Sequence, residues 1–298
     1  MSMERARLGS RACVPVLILP AWAFLIWFFL APVGLIVWYS FGYKPDVFTS
    51  HDNSILSFDR YYEVLTGPLI NSFLSSLRIA VLGTAIALVI AFPFAYWLAT
   101  RVSTRWRLIF LAAVMIPFWT NFLVRTLGLQ ILLSGSGPIS KALLQAQMIS
   151  SPLNVLGSST AVQVGVVYNY LPLMILPIFL SLDQISKNLR EASNDLGANA
   201  FHTMRQVTIP LAFPGIVSGM LLVFIPLMGD YITASVLGGV KGTMVGQLVA
   251  ADFLQAQNWA RGSAAAIILI LIILSTIAIA GAAAILTIRV IRLARLRL

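Results

Sequence analysis

The chain has 298 residues, of which 59% are hydrophobic and only 10% charged, with a mean hydropathy of +0.91. Water-soluble domains carry about a quarter charged residues, so this composition excludes an ordinary soluble protein and points to lipid as the solvent. The net charge of +10 does not indicate nucleic acid, because the basic residues gather where apolar runs end and form no stripe interleaved with aromatics.

Arg5, Arg7 and Arg11 precede a first apolar run at 14–41. That run is too long for the apolar part of a signal peptide, about 7–15 residues, and no small-x-small cleavage site follows. A retained first membrane helix is expected. Cys13 at its start is the single cysteine, so an intrachain disulfide is excluded, and a small buried hydrophobe is the expected role.

The next stretch, about 42–69, is the most acidic part of the chain (Asp46, Asp52, Asp59, Glu63), and Phe58–Leu65 has the pattern of a short amphipathic surface helix. Helix-length apolar runs follow at 70–99, 107–134, 159–182, 211–238 and 262–290. Pro93 and Pro117 sit inside two of them, which membrane helices tolerate because neighbouring groups satisfy the freed carbonyls. Aromatics near run ends (Trp38, Tyr39, Trp97) suit the membrane interface. No repeat or linker is visible, so 1–298 reads as a single all-α transmembrane domain with six spans.

Orientation follows from lysine and arginine. The N-terminal arginines lie on the same side as Arg101, Arg105, Arg107, Lys187, Arg190, Arg205, Arg289, Arg292, Arg295 and Arg297. The other side has Lys44, Arg60, Lys141, Lys241 and Arg261. Thirteen against five puts both termini in the cytoplasm.

Three ionisable residues fall inside the runs: Arg78, Arg125 and Asp230. Such residues are costly in lipid and face a cavity or a partner. At about 1.5 Å per residue, Arg125 lies about 27 Å from the cytoplasmic end of its run, with Asp230 at nearly the same depth. Asp230 follows Pro226 and adjoins Gly229, a combination that weakens the helix locally, and transporters place binding sites at such interruptions. From charge alone two readings stand: Asp230 attracts a cationic substrate, with Tyr231 beside it, or it pairs with Arg125 or Arg78. Two arginines suit an anion equally well. Asn169 and Tyr170 in the fourth run are candidates to line a pore with Trp119 and Asn121, or to join helices by hydrogen bonds. His51 and His202 lie far apart in sequence, and without clustered carboxylates or cysteines no metal site is expected. The same poverty of nucleophiles and bases argues against a membrane-embedded enzyme.

The polar link between the fourth and fifth runs, about 183–210, reads Glu191-Ala192-Ser193-Asn194-Asp195-Leu196-Gly197 and ends at Val207-Thr208-Ile209-Pro210. Gly197 suits close approach by a partner, and Pro210 is expected to break the chain before the next span. The spacing resembles the E-A-A…G…I-x-L-P motif of binding-protein-dependent ABC importer permeases, with Glu191, Ala192, Gly197 and Pro210 in register and Ser193 in place of the second alanine. The segments Pro117-Phe118-Trp119-Thr120-Asn121-Phe122-Leu123-Val124-Arg125-Thr126, Gly229-Asp230-Tyr231-Ile232-Thr233 and Asn258-Trp259 look like the spermidine/putrescine branch of that family.

The resemblance implies a type I importer permease fold in the bacterial inner membrane. It also implies alternating access and a coupling helix (Glu191, Ala192, Ser193, Asp195, Gly197, Pro210) that docks on an ATPase subunit. Its implied partners are two ATPase subunits that bind ATP and Mg, a second and different permease chain, and an external substrate-binding protein. The sequence holds no G-x-x-x-x-G-K-[ST] phosphate loop, so no cofactor is expected in this chain. Asp230 and Tyr231, with Trp119, Asn121, Arg125, Asn169 and Tyr170, become the substrate pathway for a polyamine. A permease for an anion or a sugar, or a proton-coupled transporter, is the alternative.

Overall fold

The computed structural model describes residues 19–46, 48–67 and 69–295, with side chains as far as residue 282. Arg5, Arg7, Arg11, Cys13 and Arg297 lie outside the described residues, as do the side chains of Arg289, Arg292 and Arg295. Among the described residues, six helical stretches are long and apolar enough to cross a membrane: Leu19–Tyr39, Leu69–Arg101, Phe122–Gln145 (two helices in succession), Ser159–Asp183, Ala200–Met228 and Trp259–Ala282. The β-structure among them amounts to one isolated antiparallel bridge between Tyr43 and Asp52. Helices dominate because lipid offers backbone groups no partner, so each span must satisfy its own.

The chain divides into two compact units, one reaching to Gly67 and resuming at Val249, the other Pro68–Leu248. The first contains α1 (Leu19–Tyr39), α2 (Asp59–Thr66) and the last helix, Trp259–Arg295. α2 is the amphipathic helix expected at Phe58–Leu65, and it buries Val64. Its Glu63 accepts from Arg60 at 2.6 Å and lies 3.5 Å from Arg261, which also pairs with Asp252. Lys44 Nζ donates to the Ala256 carbonyl at 2.6 Å, and the Trp259 amide to the Ser50 carbonyl at 3.2 Å. The acidic link is thereby pinned to the start of the last span.

The second unit contains α3 (Leu69–Arg101), α4 (Thr104–Phe118), α5 (Phe122–Leu133), α6 (Pro138–Gln145), α7 (Ser159–Asp183), α8 (Lys187–Asp195), α9 (Ala200–Met228) and α10 (232–238). α3, α7 and α9 pack against one another. On α3 the buried residues Ala80, Gly83, Thr84, Ala87, Ala91 and Ala95 recur at helical spacing, and on α9 the contact uses Ala212, Gly215 and Gly219. Small side chains let membrane helices approach closely where no hydrophobic effect separates helix from lipid. Other apolar residues of α3 face outward, Val89 being 71% exposed, while Phe73 and Leu98 fill the contact nearer the helix ends.

Two runs differ from the sequence expectation. The third run, expected as one helix over 107–134, is divided at Trp119–Asn121 into α4 and α5. Pro117 ends α4, and Asn121 restarts α5 by accepting from the Leu123 and Val124 amides at 2.9 and 3.4 Å. The straight-helix depth of Arg125 therefore does not hold. Pro210 does not break the chain before the fifth span. α9 is continuous from Ala200, and a wide turn at Met204–Thr208 absorbs the hydrogen bond that Pro210 cannot donate. The interruption comes at the other end, where Gly229 and Asp230 separate α9 from α10. This is the break that Pro226, Gly229 and Asp230 suggested.

Candidate functional site

The polar link after α7 forms a helix-turn-helix. Ser186 caps α8 by accepting from the Asn188 amide at 3.3 Å. After Asp195 the backbone turns through Gly197 at φ +84°, with the Ala198 amide donating to the Ser193 carbonyl at 3.1 Å. That left-handed conformation is what glycine supplies at a helix C-terminus. A Cβ at Gly197 would meet nothing within 4 Å, so backbone geometry, not close packing within the chain, accounts for this glycine. Asn199 then caps α9 by accepting from the His202 amide at 2.9 Å. Glu191, Ala192 and Asp195 are exposed, Ser193 is half-buried, and the apolar residues Leu189, Leu196 and Phe201 are exposed around them, Leu196 at 89%. Arg107 at the start of α4 pairs with Asp183 at the end of α7.

The second cluster surrounds the break between α9 and α10. Asp230 is 6% exposed, and its carboxylate accepts from the Thr233 amide at 3.0 Å and the Thr233 hydroxyl at 2.6 Å. This is the geometry of a helix N-cap, so the carboxylate stabilises the start of α10 while lying in the break. Asn169, fully buried on α7, donates to Thr126 Oγ1 at 3.0 Å and to Thr233 Oγ1 at 3.4 Å. Both hydroxyls spend their own hydrogens elsewhere, Thr126 on the Phe122 carbonyl and Thr233 on Asp230. The network thus assigns the amide nitrogen of Asn169 to the two threonines and leaves Oδ1 without a partner. Gly165, one turn before Asn169, makes this meeting possible: a Cβ there would lie 2.4 Å from Leu237 and 2.7 Å from Thr233, both on α10.

Arg125 is 8% exposed, yet no ion pair joins it or Arg78 to Asp230 among the described residues. Its guanidinium lies 5.4 Å from the ring centres of both Phe118 and Phe122, with Nη1 donating to the Pro117 carbonyl at 3.4 Å. Tyr170 is buried with its ring 5.8 Å from Phe122, and its hydroxyl neighbours Asp230. The structure therefore brings Asp230, Asn169 and Tyr170 together, with Arg125 one ring away. It does not bring Trp119, Asn121 or Tyr231 into the buried cluster: Trp119 is 86% exposed, Asn121 is an exposed cap and Tyr231 is 46% exposed. Thr126 and Thr233 are members that the sequence reading left out. The signal for Thr233 was present, since it stands three residues after Asp230, the spacing of a capped helix start; Thr126 carried none.

A helix-turn-helix with exposed apolar residues and a buried polar break in one unit are features of a transporter, and comparison with known proteins decides which kind. Residues 91–287 match the family described as binding-protein-dependent transport system inner membrane component. The chain belongs to that family. It is a permease subunit of an ABC importer and a multi-pass inner-membrane protein, a transport component and not an enzyme. The permease is 34% identical over 257 residues to the spermidine/putrescine transport system permease protein PotB of Salmonella typhimurium strain SL1344, covering 86% of this chain and 88% of that one. It is 35% identical over 255 residues to the protein of that name from Haemophilus influenzae, covering 85% and 87%. In fold it is similar to a chain of a bacterial alginate ABC transporter solved with an alginate-bound periplasmic protein, with TM-score 0.67 and 13% identity over 92% of the permease and 94% of that chain.

Proposed function

We propose that this permease moves polyamines of the spermidine and putrescine class across the inner membrane by alternating access. In this reading a substrate-binding protein delivers the polyamine from outside. Separate ATPase subunits bind ATP and Mg and dock on α8 through Glu191, Ala192, Ser193, Asp195 and Gly197, with Pro210 at the base of the adjoining span. A second, different permease chain completes the pathway, and the whole of 1–298 serves as one transmembrane domain.

The observation that carries the polyamine reading is the buried Asp230 carboxylate at the break between α9 and α10. A substrate ammonium leaving water gains little from surface charges but much from a carboxylate in a low-dielectric setting. Tyr170 and Asn169 stand beside it with polar atoms at hand; Phe122, and outside the buried cluster the exposed rings of Trp119 and Tyr231, offer faces to a polyamine chain farther along the pathway. Asn121 contributes by holding the start of α5, on which Arg125 sits. The names of the relatives point the same way.

One observation favours a different cargo. Arg125 is buried without a carboxylate partner, and an anionic substrate would provide one. The two readings separate in a reconstituted complex of permease, ATPase and binding protein. Stimulation of ATP hydrolysis by binding protein loaded with spermidine or putrescine supports the polyamine. Stimulation only by a protein loaded with a carboxylate, phosphate or sugar overturns it.

A further inference from the structure

Thr203 lies on the first turn of α9, 6% exposed, and its hydroxyl is 3.0 Å from Ser193 Oγ and 3.2 Å from Asn194 Oδ1, both on α8. A threonine hydroxyl carries a single hydrogen, and an amide oxygen only accepts. Thr203 therefore donates to Asn194, and Ser193 donates to Thr203. Among the described residues these are the side-chain hydrogen bonds that join α8 to α9. The backbone between the two helices turns through Gly197, where the amides of Gly197 and Ala198 donate back to the Asn194 and Ser193 carbonyls of α8 at 2.9 and 3.1 Å, so these bonds tie the turn to α8 but not to α9. Ser193 stands where the E-A-A pattern has alanine, so the hydroxyl relay belongs to this chain and not to the motif.

We propose that Ser193, Thr203 and Asn194 form a brace that holds α8 rigidly against α9. A displacement of α8 is then passed into a continuous helix that ends beside Asp230, instead of being absorbed at Gly197. The three are positioning residues: they touch neither nucleotide nor substrate. The inference rests on α8 being the contact for the ATPase.

The test is the amount of labelled spermidine imported per ATP hydrolysed, in vesicles holding the complete complex with its binding protein. Thr203→Val removes both hydrogen bonds at nearly constant shape, while Thr203→Ser keeps the hydroxyl. Two hydrogen bonds shift the balance between braced and unbraced positions by roughly five- to 150-fold. Thr203→Val is expected to lower the import-to-hydrolysis ratio by that factor while ATP hydrolysis persists, and Thr203→Ser to retain the ratio. An unchanged ratio in Thr203→Val, or an equal fall in both variants, overturns the brace. If Thr203→Val fails to assemble, Asn194→Leu against Asn194→Asp gives the same contrast, since only the second keeps an acceptor for Thr203, with loss of the ratio expected only in the first. An unmodified permease that assembles with its ATPase while α8 stays open to protease overturns the docking reading and the brace together.

Discussion

Asp230 has two duties that substitution can separate. Its carboxylate caps α10 through Thr233, and it offers the negative charge nearest to Asn169 and Tyr170. Asp230→Asn keeps an acceptor for the Thr233 amide but removes the charge. Uptake is expected to fall at least tenfold while the amount of assembled complex stays near normal. Equal losses of uptake and assembly would make Asp230 a structural cap only. Thr233→Val leaves the charge but removes the bridge between Asp230 and Asn169, with an expected stability loss of about 1 kcal/mol, read as a lower unfolding midpoint in detergent. The single carboxylate in the apolar runs was visible in the sequence, as were its neighbours Pro226 and Gly229. That Asn169 would be linked to it through Thr233 was not visible, because that link depends on Gly165 letting α10 lie against α7.

Breaks between helices distinguish this chain more than the helices do. Asn121 restarts α5 after the Trp119–Asn121 interruption, so Asn121→Ala should cost about 1 kcal/mol and Asn121→Asp much less, measured by thermal unfolding of the purified permease. Hydropathy could not show this break, since Trp119, Phe122 and Leu123 keep the run apolar across it. The local chemistry could have: proline, then a polar cap residue four positions on, is a stop followed by a start. At α9 the structure is more continuous than the residues suggest. Pro210 lies within a continuous helix because the wide turn at Met204–Thr208 precedes it, and no residue pattern announces such a turn. Gly197 was legible as special, though its reason is the φ of +84°. Gly197→Ala is expected to loosen the end of α8 by about 1 kcal/mol, read as faster amide exchange at Leu196–Ala198.

For the whole molecule, the apolar runs and the coupling motif made the class of protein readable from the sequence, because lipid allows few architectures and charge sets orientation. The same charge bias predicts which surfaces are reachable. With Cys13 replaced by serine, a cysteine at Val240, 94% exposed, should react with an impermeant thiol reagent in intact cells. One at Leu196, 89% exposed, should react only after permeabilisation, and the reverse result would invert the topology. The substrate was less legible, since a buried arginine and a buried carboxylate lie in the same unit without pairing.

The most direct measurement is uptake of labelled spermidine and putrescine into vesicles containing the reconstituted complex. Uptake that requires both ATP hydrolysis and the binding protein is the predicted result. Uptake without ATP that follows a proton gradient, or ATP hydrolysis stimulated by another loaded binding protein with no polyamine entering, would contradict it.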